Sequence, residues 1–292
     1  MLDLLKTTFR EFAEDDAPRM AAALSYYTIF SLPPLLILLL TIAGVFLEPQ
    51  DIQGRVLEET QAAVGASGAE QIRTMIEQAE RPGSGGTLRT ILSIAALLFG
   101  ATGAFAQLQA ALNKAWEVEK SPDRSGVVKL VLKRVLSLGM ILVIAFLLLV
   151  SLILSAVLSR MGDQVASYLP DPLGQAGLMA LDVGLSLLVI TTLFAAMFKV
   201  LPDAKVAWRD VWLGAGVTAG LFIVGKYLLS FYISQASPGS AFGAAGSLAI
   251  LLVWVYYSAM ILFLGAEFTE AWAERRGRAI VPDKGAVRVA EG

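Results

Sequence analysis

The chain has 292 residues, 56% hydrophobic and 16% charged, with mean hydropathy +0.67 and a net charge of −2, against about 45–50% apolar and 25% charged for a soluble domain. That composition excludes an ordinary water-soluble globule and predicts a membrane protein. Neither cysteine nor histidine is present, which removes disulfides, the commonest metal ligands and the commonest general base; no catalytic residue, metal site or cofactor is expected.

At the start, Leu2, Leu5, Phe9 and Phe12 form a helical stripe with charges between them, predicting a helix over residues 1–15 that lies in the membrane interface. Lys6, Arg10, Glu11 and Glu14 break the apolar run, so this segment is not read as a signal peptide. Asp16 and Pro18 read as the N-cap and first turn of a membrane span. Six spans are predicted, at about 20–47, 88–112, 132–158, 176–200, 209–235 and 244–268, each long enough for about 30 Å of hydrocarbon. Pro33 and Pro34 remove two backbone donors from the middle of the first and should kink or break it, either as a packing kink or as a discontinuous helix lining a path. In the acidic loop 48–87, Ile72, Met75, Ile76 and Ala79 recur at i, i+3, i+4 and i+7, which predicts a small helical cap on the outer face.

The fourth span carries Asp182 and the fifth Lys226. Residues 220–227, GLFIVGKY, approach a phosphate-binding loop, but they sit inside a continuous apolar helix, and Tyr227 stands where Ser or Thr would hold magnesium. Nucleotide binding is therefore excluded, and Lys226 becomes an intramembrane cation costing about 2.5–3.5 kcal/mol on insertion scales. Asp182, about one helical turn away in depth, is its expected partner, forming either a structural clamp or an element facing a water-filled cavity. Gly216 and Gly220 offer a small-residue packing face. Trp208 and Trp212 fit an interfacial belt, whereas Trp254, Tyr256 and Tyr257 are too deep for one and should pack internally. Glu267, near the end of the last span, is either a solvated helix end or a coupling carboxylate. Residues 1–275 are expected to form a single transmembrane domain and 276–292 an unstructured tail.

Lys and Arg set the orientation. Lys6, Arg10, Arg19, Lys114, Lys120, Arg124, Lys129, Lys133, Arg134, Lys199, Lys205, Arg209, Arg275, Arg276, Arg278, Lys284 and Arg288 fall on one side; only Arg55, Arg73, Arg81, Arg89 and Arg160 fall on the other. Both termini are expected in the cytoplasm, and the fold class is an all-α polytopic protein of the bacterial cytoplasmic (inner) membrane.

Four stretches, MAAALSYYTIFSLPPLLILL at 20–39, FGATGAFAQLQAALNKAWEVE at 99–119, LPDAKVAWRDVWLGA at 201–215 and SPGSAFGAAGSLAILLVWVYYSAMILFLGAEFTEAWA at 237–273, resemble the YihY/virulence factor BrkB family of inner-membrane proteins. The resemblance covers residues about 10–275 in the family's order. It implies six spans with both ends inside, and it makes Ser25, Tyr26, Tyr27, Asn113, Trp116, Pro202, Gly246, Ser247, Trp254, Tyr256, Gly265 and Glu267 signature positions. Members have carried a ribonuclease label, a serum-resistance role in virulence and a role in exporting lipid-linked envelope material. RNA cleavage is disfavoured here, because it needs clustered metal ligands and a basic face, and the basic residues already follow from topology. A transporter or lipid flippase not driven by ATP is expected, with Tyr26, Tyr27, Pro33, Pro34, Asn113, Pro202, Trp254, Tyr256 and Glu267 lining or gating a cavity. The alternative is an envelope scaffold without transport. Expected partners are membrane lipids, a lipid-linked substrate and further copies of the chain, with no nucleic acid.

Overall fold

The computed structural model describes residues 2–43, 49–80, 103–120, 173–236, 246–278, 280–283 and 286–288. The predicted third span lies outside the described residues, as does the second span before residue 103. In chain order the elements are α1 (Leu2–Glu14), α2 (Ala17–Ala43), α3 (Pro49–Val64), α4 (Ala66–Glu80), α5 (103–115), β1 (Val118–Lys120), α6 (Leu173–Val200), β2 (Ala204–Lys205), α7 (Trp208–Ala236), α8 (Gly246–Arg275), β3 (Val281–Pro282) and β4 (Ala286–Arg288).

The long helix α8 is the axis of the packing. Helices α2 and α7 flank it, and α6 packs on α7. At one end, Ile72 and Ile76 of α4 bury against Leu251 of α8 with Ile29 and Leu32 of α2; at the other, Leu4 of α1 buries against Phe268 and Ala271. The amphipathic stripe read in 48–87 thus forms its cap, with α3 as an unforeseen second helix. The two join at Gly65, whose φ of 83° is open to a residue without Cβ.

Among the described residues, α7 over Trp208–Leu229 and α8 over Leu248–Arg275 are long and apolar enough to cross a membrane. Along α7, Leu213, Val217, Leu221, Val224, Leu228 and Phe231 are exposed at steps of three and four residues, a continuous apolar stripe suited to lipid rather than water. Its opposite side meets α8 through a reciprocal interlock. Thr269 of α8 sits over Gly214 of α7, and Thr218 of α7 over Gly265 of α8, where a Cβ on either glycine would fall 2.9 or 2.8 Å from the threonine Cβ. Each hydroxyl donates back into its own helix, Thr218 to the Gly214 carbonyl at 2.7 Å and Thr269 to that of Gly265 at 2.6 Å. The face predicted for close packing, Gly216 and Gly220, has open space where a Cβ would stand. Small residues do carry the helix contact, but two positions away from the pattern read in the sequence.

Two further expectations are corrected. The tandem Pro33 and Pro34 do not break the first span, since α2 runs unbroken through them; proline's fixed φ is helical, and its cost is confined to lost donors and carbonyl crowding. The tail is not unstructured over its full length. β3 pairs antiparallel with β2 (Ala204↔Pro282, Lys205↔Val281), and β4 with β1 (Val118↔Arg288, Lys120↔Ala286). Lys205 and Asp283 add an ion pair at 3.3 Å. Asp16 keeps its capping position, its carbonyl accepting from Met20 at 3.1 Å. It also closes α1, which explains its left-handed φ of 55°, a conformation aspartate tolerates better than most residues.

Candidate functional site

Acidic side chains converge where α1, α5 and α8 meet. On α8, Glu267, Glu270 and Glu274 recur at i, i+3 and i+7, one helical face, and α1 brings Glu11 against that face. Carboxylate oxygens of Glu11, Glu267 and Glu270 lie within 4.8 Å of one another, as do those of Glu117, Glu270 and Glu274. Glu267 is only 1% exposed, and both its oxygens are buried without a hydrogen-bond partner. This overturns the expectation of a solvated helix end: the last turns of α8 run beneath α1 rather than out into water.

The surrounding cations are unevenly shared. Arg288 of β4 reaches Glu117 at 3.1 Å and Glu274 at 3.2 Å, and Arg10 stands 3.5 Å from Glu11. Lys114 at the end of α5 is turned to the backbone, donating to the Asp15 carbonyl at 2.6 Å. Burial pushes the Glu11 carboxyl above its ordinary range, with Glu274 adding to the shift and Arg10 opposing it. Asp15 is also raised, chiefly by burial, against the pull of Lys114. A buried carboxylate without a counter-charge is costly, so the cluster is suited to holding protons or a cation.

A second polar device lies beside it. Asn113 is buried on α5; its Nδ2 donates to the Asp203 carboxylate at 3.0 Å, and its Oδ1 accepts from the Asp203 amide at 2.8 Å. Gln109, one turn earlier, donates to the Leu201 carbonyl at 3.0 Å. Asn113 and Pro202 are therefore brought together, in a clamp on the turn between α6 and α7. At the start of α7, Asp210 is 1% exposed and paired with Arg278 at 2.7 Å.

The signature positions Trp116 and Trp254 stand at the two ends of an aromatic ladder through the helices. Trp116 meets Phe198 at 5.9 Å between ring centroids, Phe198 meets Phe194 at 6.4 Å, Phe194 meets Phe222 at 5.8 Å, and Phe222 meets Trp254 at 5.8 Å. Tyr256 packs on the same core. Tyr27 lies over Gly103, where a Cβ would fall 2.6 Å from its ring. Its neighbour Tyr26 is exposed, edge-on to Tyr27 and Phe30. The side chains of Pro33, Pro34 and Asp182 lie outside the described residues. Lys226 is half-buried on α7. Asp182 stands 18 residues before Val200 and Lys226 18 after Trp208. At about 1.5 Å per residue both lie about 27 Å from the shared turn, level along antiparallel neighbours.

The sequence pass missed Glu11, Asp15, Glu117, Glu270 and Glu274 as partners of Glu267, and the Asp203 and Arg278 contacts. The three-and-four spacing of acids on the last apolar helix was the available signal. The rest depends on residues far apart in the chain, 90 residues for Asn113 and Asp203 and 68 for Asp210 and Arg278.

A family model described as virulence factor BrkB matches residues 8–289. The putative ribonuclease-like protein YfkH of Bacillus subtilis is 28% identical over 282 residues, covering 94% of this chain and 97% of that protein. UPF0761 membrane proteins of Azotobacter vinelandii and Alcanivorax borkumensis are 29% and 28% identical, over 95% and 90% of this chain. This chain spans 65% and 58% of their lengths. No solved structure matches.

Proposed function

Because the chain belongs to the virulence factor BrkB family, we propose that it acts in the bacterial cytoplasmic membrane, both termini inside, as a transporter or lipid flippase not driven by ATP. The observation that carries this reading is Lys226. It is a half-buried cation deep in a membrane-length helix, level with Asp182 of the adjacent helix, on an element whose other flank is bare apolar surface. An ionisable group at such depth is costly and marks a path or a partner. Lys226 stands one turn beyond Phe222, which packs on Phe194 of α6, so it lies on the side of α7 turned away from the lipid-facing stripe and is placed to attract the phosphate of a headgroup entering between the two helices.

The protein is read as a non-enzyme. Ribonuclease-like is the name of the Bacillus relative; RNA cleavage would require a site open to a polyanion, whereas Glu267 at the heart of the acidic cluster is buried.

The test is scrambling of labelled phospholipids in reconstituted vesicles. Wild type should move lipid, Lys226→Ala and Asp182→Ala should lose most of that movement, and exchanging the two residues should restore folding. A folded wild type that moves no lipid, with or without a proton gradient, would replace this reading with an envelope scaffold presenting the α3–α4 cap.

A further inference from the structure

We propose that Glu11, Glu267 and Glu270 form a binding site for one hard divalent cation, which ties the interfacial helix α1 to the end of α8. The inference does not rest on lipid transport.

Two independent observations point to it. The first is convergence: the three carboxylates present oxygens all within 4.8 Å of one another, near enough for one cation with oxygen bonds of about 2.0–2.6 Å to bridge them. The second is Glu267 itself, 1% exposed, at the centre of this group, with neither oxygen accepting a hydrogen bond. A buried carboxylate ordinarily recovers its lost hydration through two or three donors or a cation. The Oε2 of Glu11 is likewise buried and unpartnered.

The distribution of protein cations selects this triad over its neighbour. Arg288 already bridges two of the three carboxylates of the neighbouring triad, Glu117 and Glu274. Around Glu267, Arg10 is divided between Glu11 at 3.5 Å and Glu14 at 3.9 Å, and Lys114 makes its hydrogen bond to a backbone carbonyl. Asp15 adds a further negative charge nearby. An all-oxygen carboxylate set suits calcium, manganese or magnesium rather than zinc or copper. The absence of histidine and cysteine thus argues against a soft-metal centre and leaves this class open.

The full chain, purified in a non-ionic detergent and stripped with a chelator, is titrated with Mn²⁺ while free Mn²⁺ is read by electron paramagnetic resonance. Thermal unfolding is followed with and without Ca²⁺. Wild type should take up one equivalent, release it to Ca²⁺ and unfold several degrees higher with the cation present. Glu267→Gln and Glu11→Gln should each weaken binding by about ten-fold or more, whereas Glu70→Gln on the distant cap should not. Glu11 lies on the open side of the cluster, so its variant remains informative if the buried substitution fails to fold. No stoichiometric uptake by folded wild type would overturn the proposal, as would uptake indifferent to Glu11→Gln. Loss on Glu274→Gln but not on Glu11→Gln would place the ion in the other triad and also refute it.

Discussion

Adding one methyl group at Gly265 should separate the two membrane-length helices, whereas the same change at Gly216 should do nothing. A Cβ at Gly265 would stand 2.8 Å from Thr218 Cβ, where carbon atoms ordinarily keep about 3.5–4.0 Å, so the helices must part by roughly 0.7 Å or more. Thr218 is β-branched and its hydroxyl is engaged with its own helix, so rotation cannot relieve the clash cheaply. Overpacking of this kind costs about 1–3 kcal/mol. Alanine's helix propensity, worth about 1 kcal/mol in water, offsets little of it if unfolding in a micelle separates helices rather than unwinding them. The assay is reversible unfolding in mixed detergent micelles titrated with dodecyl sulfate, comparing wild type, Gly265→Ala, Thr218→Ala, their combination and Gly216→Ala. Trimming Thr218 should cost about 0.6 kcal/mol alone and recover at least about 1 kcal/mol when combined with Gly265→Ala. A Gly265→Ala protein as stable as wild type, additivity in the cycle, or an equal loss at Gly216→Ala would each refute the interlock.

Three other outcomes follow from the polar contacts. Asn113→Ala removes two hydrogen bonds of Asp203 at once, leaving its carboxylate only the longer contact from Gln109 at 3.4 Å, and should cost about 2–3 kcal/mol, read in the same titration, with faster proteolysis of the turn between α6 and α7. Arg278→Ala leaves the buried Asp210 carboxylate unpaired and should cost about 1–3 kcal/mol, less than a fully buried pair because the guanidinium is 38% exposed; adding Asp210→Asn should recover part of it. Glu11 and Asp15 are raised above 4.5 and 3.8 in the folded chain, so the folded state binds more protons than the unfolded one between those values and the raised ones. Stability from these two groups should therefore increase as pH falls through that window and decrease as it rises. The melting temperature of wild type should gain more as pH falls from 7.5 to about 4.5 than that of Glu11→Gln; equal gains would show that Glu11 contributes nothing.

Hydrophobic periodicity carried far. The apolar runs at 209–235 and 244–268 became α7 and α8, and the Ile72–Ile76 stripe became the buried face of α4, because both patterns are local and satisfied by one helix against one neighbour. Glu267 shows the limit. From sequence it is a polar residue near a helix end, where solvation is the default; its burial depends on α1 folding back across α8, a tertiary event without local signature. The glycine face failed for a related reason. Gly216 and Gly220 match a packing motif by spacing, but the crossing with α8 is decided by which threonines lie opposite, and those belong to a segment about 50 residues away. Residues 281–288 looked like a polar tail because two- and three-residue strands have no periodicity to read, and their partners lie in turns that were themselves read as connectors.

The strand pairs of that tail act as a clasp. Arg288 alone holds the turn after α5 and the last turn of α8, while β3 fastens the turn that launches α7. Reporter fusions used to map the topology of such proteins are often joined close behind the final apolar segment. Here a junction at residue 276 would delete both strands, release Glu117 and Glu274 from their shared guanidinium and strip Asp210 of Arg278. A truncation chosen as harmless would report on a loosened molecule. The exposed face of α4, around Glu70 and Arg73, is the safer place for a label, since the ion pairs of Arg73 with Glu70 and Glu77 stay within that helix.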